Sequence, residues 1–175
     1  MAASDKKRSE LGEETEMEQK KLSRWLIIII AGVAVCGLTV YALVLPICGR
    51  DLAQKYPEYE KAYWPWLIFL WLTGVPCYAV LWLGLGIVRR IGADRSFSFE
   101  NARALKRISY LATGDTAFFM AGSIALLLLN MSHPGVFLAS LMVVFAGIAV
   151  AVVAASLSHL VLKAAALQEQ SDLTV

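Results

Sequence analysis

The stretch WLIIIIAGVAVCGLTVYALVL, residues 25–45, decides the fold. It runs for 21 residues without an Asp, Glu, Lys or Arg. A helix rises about 1.5 Å per residue and a bilayer's hydrocarbon core is about 30 Å thick, so about 20 apolar residues cross it. The stretch shows no period-2 alternation and is too long for a strand. A helix pairs its own backbone amides, which a lipid environment demands. The 24 residues in front of it are strongly charged, and no A-x-A site ends it. Bulky Val35 directly before Cys36 argues against a lipoprotein cysteine. The stretch therefore reads as a retained membrane helix rather than a cleaved signal.

Three more stretches follow the same rule. Residues 64–88 contain no charged side chain, residues 108–129 contain only Asp115, and residues 137–162 contain only the imidazole of His159. The longer two cross with tilt or keep a few residues at the interface. Composition agrees. The 175-residue chain is 58% hydrophobic and 17% charged, with a mean hydropathy of +0.62. Soluble domains are about 45–50% apolar and about 25% charged, which argues against a soluble enzyme. A net charge of +2 gives no bulk signal for nucleic acid, and no direct nucleic-acid binding is expected. The expected fold is all-α and polytopic: a four-helix bundle of two transmembrane hairpins, helices 25–45, 64–88, 108–129 and 137–162.

Lys and Arg set the orientation. Residues 1–24 carry six, residues 46–63 three, residues 89–107 six, residues 130–136 none, and the tail Lys163 alone. Placing both termini inside puts thirteen basic residues there against three outside, so the positive-inside rule predicts cytoplasmic termini. The outer loop then carries an interfacial aromatic cluster of Tyr56, Tyr59, Tyr63, Trp64 and Trp66. Membrane lipids are the obligatory partners.

Residues 1–24 form a polar N-terminal segment of mixed charge that cannot bury enough apolar area to fold alone. The inner loop is more informative. Gly92-Ala93-Asp94 reads as a turn. Ser98 is placed to cap a helix starting at Phe99, with Glu100 near its positive end. Phe99, Ala102, Leu105 and Ile108 then share a helical face, and Arg103, Lys106 and Arg107 share the polar one. This basic amphipathic lead-in suits either the lipid headgroups or a soluble partner. Residues 163–175 form a helical tail ending in Leu173, Thr174 and Val175; that apolar end either frays or docks on a partner.

Chemistry-bearing motifs are missing. Cys36, Cys48 and Cys77 form no C-x-x-C, and no phosphate loop, H-E-x-x-H or G-x-S-x-G occurs. No catalytic, cofactor or metal residues are assigned. Asn130-Met131-Ser132 matches a glycosylation triplet but lies too close to the membrane to be read as one. Asp115 stands out, since a carboxylate within a span costs about 2.5–3.5 kcal/mol to insert. By depth, Ser156 and His159 on the fourth helix are candidate partners. The contact is either a proton-responsive switch or interhelical glue worth about 0.6 kcal/mol. Gly147, Ala151 and Ala155, spaced by four, allow close backbone approach, either inside the bundle or in a homo-oligomer.

Several runs resemble the DUF2975 family of bacterial membrane proteins: Tyr56-Pro57-Glu58, Tyr63-Trp64-Pro65-Trp66-Leu67-Ile68, Ser96-Phe97-Ser98-Phe99-Glu100-Asn101-Ala102-Arg103-Ala104-Leu105-Lys106-Arg107-Ile108, and the ending from Leu162. The resemblance covers the chain from about Trp25. It implies a four-helix protein of the bacterial inner membrane, often encoded beside a small helix-turn-helix regulator, and supplies no catalytic residues. The leading expectation is a non-enzymatic sensory or regulatory protein. Phe97, Phe99, Arg103, Lys106, Arg107, Leu173 and Val175 would form its cytoplasmic partner surface. The alternative is a small transporter, channel subunit or immunity-type protein.

Overall fold

The computed structural model describes residues 2–93 and 95–172, with side chains over 17–93 and 95–171. The described chain is all helical: α1 (Ala2–Thr39), a π turn (Val40–Val44), α2 (Leu45–Lys55), a 3-10 turn (Pro57–Ala62), α3 (Tyr63–Ile91), α4 (Phe99–Leu128) and α5 (Pro134–Asp172). Four stretches are long and apolar enough to cross a membrane, and they contain the four read from the sequence except Leu129, which caps the third instead of ending it. Four crossings bring both termini to one side, here called the terminal face; the opposite side is the far face.

Two boundaries differ from expectation. Residues 2–24 are not a separate unfolded segment, because α1 is helical from Ala2. The segment is rich in Glu, Lys and Gln, which are good helix formers. Growing from an existing helix, it also needs no new nucleus. At the other end of this span, the chain does not leave the helix at Pro46. It passes through the π turn into α2 and stops only at Tyr56 (φ −127°, ψ 82°).

Proline chemistry explains the π turn. Pro46 has no N–H for an i−4 carbonyl, and its ring crowds that carbonyl in a regular helix. In the wider register the Leu45 N–H reaches back to the Val40 carbonyl. The carbonyl left without a helical donor is then that of Tyr41. Trp71 Nε1–H on α3 donates to it at 3.0 Å.

The spans do not close into a bundle. Among the described residues α1 packs on α3, α3 on α4 and α4 on α5, and no other pair of spanning helices meets. The result is an open row in chain order. Lipid tails solvate the outer faces of α1 and α5 as well as another helix would, so no hydrophobic force closes the row.

The α4–α5 seam is the tightest. Ser140, Ala151, Ala154, Ser158 and Ala165 of α5 are buried. With Gly147, whose missing Cβ makes room for Thr116, they repeat at spacings of three, four or seven residues, one face of the helix. Ser109 Oγ donates to the Ala151 carbonyl at 2.9 Å, and Ser158 Oγ to the Ala102 carbonyl at 2.8 Å. The small-residue stripe expected at Gly147, Ala151 and Ala155 is thus spent on internal packing, and Ala155 is not part of it because it is exposed.

Candidate functional site

On the terminal face, residues 89–93 and 95–108 build a hydrogen-bonded hinge between α3 and α4. Ser98 caps α4: its Oγ accepts from the Asn101 N–H at 3.2 Å. Asn101 is 1% exposed. Its Nδ2 donates to the carbonyls of Arg95 and Ser96, both at 3.0 Å, which closes the loop around one amide. Arg90 reaches across from the last turn of α3, donating to Asn101 Oδ1 at 3.4 Å and pairing with Glu100 at 3.1 Å. Gly92 and Ala93 turn the chain through bonds to the Val88 and Arg90 carbonyls; Asp94, the third residue of the expected turn, lies outside the described residues.

This hinge sorts the family-like motif. Ser98, Glu100 and Asn101 hold the loop, and Ala102, Ala104 and Ile108 are buried in the row. Phe97, Phe99, Arg103, Lys106 and Arg107 have no such internal job and point outward; Phe97 is 59% exposed. Lys106 does lie over the Tyr110 ring, 5.8 Å from its centroid. Leu173 and Val175 lie outside the described residues.

Midway along the row, Asp115 does not meet Ser156 or His159. It faces α3, where Cys77 Sγ lies 3.9 Å from its Oδ2. Its Oδ1 is buried without a hydrogen-bond partner. Ser156 and His159 are on exposed faces of α5. Depth along the helices puts these residues at compatible heights but leaves rotation about the helix axis free. The serine of α5 that does bond to α4 is Ser158. Around Asp115 stand Cys77 and, within electrostatic reach, Tyr41, which in turn has Tyr78 beside it. The Tyr78 hydroxyl donates to the Ala34 carbonyl at 2.8 Å, pinning α1 to α3.

The far face holds a feature that sequence reasoning missed. The α4–α5 loop begins with Asn130 at φ 54°, the left-handed conformation that Asn tolerates better than most side chains. The Asn130 and Met131 amides return to the carbonyls of Leu127 and Leu126, closing α4 with a Schellman pattern. The residues that match a glycosylation triplet are therefore a helix stop. Ser132 is buried, and His133 leads into α5, its Nδ1 accepting from the Gly135 N–H at 3.0 Å. Trp66 Nε1–H donates to the Met131 carbonyl at 2.9 Å and ties this loop to the start of α3.

Between that loop, α2, the 3-10 turn and the first turns of α3 lies a cavity of about 550 Å³. Its walls include Cys48 and Leu52 of α2, Tyr59 of the 3-10 turn, Trp66 and Leu70 of α3, and Met131. The interfacial aromatic cluster was legible in the sequence; the cavity was not, because it depends on α2 continuing past Pro46. Among the described residues no group of three or more His, Cys, Asp or Glu is placed to hold a metal ion.

Comparison with known proteins fits this architecture. Residues 47–175 match the family model described as "Protein of unknown function (DUF2975)". The "Uncharacterized membrane protein YoaS" of Bacillus subtilis (strain 168) is 29% identical over 152 residues, which cover 86% of this chain and 94% of the relative. No solved structure matches. The family match takes in most of α2 and all of α3, α4 and α5, and on that coverage the chain is a multi-pass helical membrane protein belonging to the DUF2975 family.

Proposed function

We propose that this is a non-enzymatic sensory or regulatory protein of the bacterial inner membrane, with both termini in the cytoplasm, whose terminal face recruits a small helix-turn-helix regulator. One observation carries the reading. The hinge holds the start of α4 rigidly through Ser98 and Asn101, yet leaves Phe97 and Phe99 exposed beside Arg103, Lys106 and Arg107. Aromatic and Arg side chains on a rigid support are favoured interface anchors. The orientation rests on thirteen basic residues on the terminal side against three on the other.

The test is crosslinking in cells from a photoreactive residue at position 97, with the captured protein identified by mass. A helix-turn-helix protein captured by the parent, and lost from a Phe99→Ala, Arg103→Glu background with unchanged membrane insertion, supports the reading. Capture of lipid alone contradicts it. So does capture that survives both changes.

A further inference from the structure

We propose that the far-face cavity is a phospholipid site, which takes one acyl chain and presents the headgroup to a polar recess beside it. The inference is independent of the terminal-face reading.

The cavity lies where a lipid tail would enter. Tyr56, Tyr59 and Tyr63 line it near the start of α3, and aromatic side chains favour the level of the headgroups. Leu45, Leu67 and Leu70 line its deeper part. Leu70 is seven residues into α3 from Tyr63, about 10 Å at helical rise, so the cavity reaches hydrocarbon depth. Its volume of about 550 Å³ is that of a small-ligand pocket. Walls of this composition give water few partners, and an empty apolar space of this size forfeits the packing its walls could make.

The site is also held open. The Trp66–Met131 bond fixes the α4–α5 loop as one wall. Gly49 lets the Tyr63 ring come close to α2, since a Cβ there would stand 3.0 Å from that ring. The 3-10 turn between Pro57 and Ala62 supplies Tyr59 to the cavity wall.

Charge complementarity selects the headgroup. Next to the cavity is a second recess of about 430 Å³, lined by Arg50, Gln54, Glu60 and Trp64, and Ala53 and Tyr63 wall both spaces. Among the described residues no ion pair joins Arg50 to Glu60. One cation and one anion lining the same recess, neither in an ion pair among the described residues, match a head that carries a phosphate and an ammonium group. The occupant is therefore a phospholipid of the phosphatidylethanolamine type.

The full chain in mild detergent, titrated with phosphatidylethanolamine or phosphatidylglycerol and weighed by native mass spectrometry, tests this. The expected result is one phosphatidylethanolamine per chain, bound about tenfold more tightly than phosphatidylglycerol. Ala53→Trp, which fills the shared wall, should abolish retention, and Glu60→Gln should erase the headgroup preference. A second readout uses the unmodified chain. Alkylation of Cys48, which lines the cavity, should slow about tenfold with phosphatidylethanolamine relative to that of Cys36, which does not. Equal binding of the two lipids, or Cys48 alkylation indifferent to both, overturns the proposal. So does a helical Ala53→Trp protein that still retains lipid. If Ala53→Trp fails to fold, the Cys48 measurement decides.

Discussion

The two ends of the row are held by different means. The α4–α5 seam is a packing seam, in which Gly147 admits Thr116 and small residues line the interface. The α1–α3 seam is a pinned seam. None of the most apolar window of the first span is buried, and among the described residues this span is tied to α3 by side-chain bonds to backbone carbonyls, Ser23 to Val88, Tyr78 to Ala34 and Trp71 to Tyr41 of the π turn, with Gly37 and Gly74 making room for the two tyrosines. In lipid, apolar contact drives helices together only where backbones come close, and hydrogen bonds supply the rest. The tight seam thus adds a long run of small residues to its two hydrogen bonds, and the loose one relies more on a few polar groups.

That difference can be broken from its strong end. Gly147→Leu forces a side chain into Thr116 and should cost about 1–3 kcal/mol or more, as overpacking does; unfolding in detergent, followed by circular dichroism, measures it. On the far face, Asn130→Val puts a β-branched residue at φ 54° and should cost about 1–2 kcal/mol by the same assay, while Asn130→Gly should be near neutral. Tyr78→Phe removes one of the pins on α1 and should cost about 0.6 kcal/mol, with α1 amides exchanging hydrogen faster while those of α5 do not change. Gly32→Ala sharpens the contrast from the weak end. Nothing lies within 4 Å of the added Cβ, so the change should be neutral or stabilise by up to about 1 kcal/mol through helix propensity.

The spans were legible because each carries its own signal. About 20 apolar residues form a membrane helix whatever their neighbours do. The Ser98 cap was legible for the same reason, since its partner is three residues away. What failed needed information from elsewhere in the chain. Asp115 pairs toward α3 rather than α5 because helix rotation, which depth leaves free, decides its neighbour. The continuation into α2 turns on a π register that Pro46 invites and Trp71 supports from another helix. Asn101 reads as an ordinary polar residue in the first turn of a helix, yet its two loop bonds make it the centre of the hinge.

The central claim is the open row, and one distance decides it. Spin labels on α1 and α5, at Val35→Cys and Val150→Cys in a chain whose native cysteines are replaced, face outward in this arrangement. Helices pack at about 8–10 Å, so three intervals along the row separate α1 from α5 by roughly 25–30 Å between axes. Pulsed electron paramagnetic resonance in lipid nanodiscs at one chain per disc should give a distribution centred at or beyond that span. A centre below about 20 Å, as neighbouring or diagonal helices of a closed bundle would give, contradicts the row.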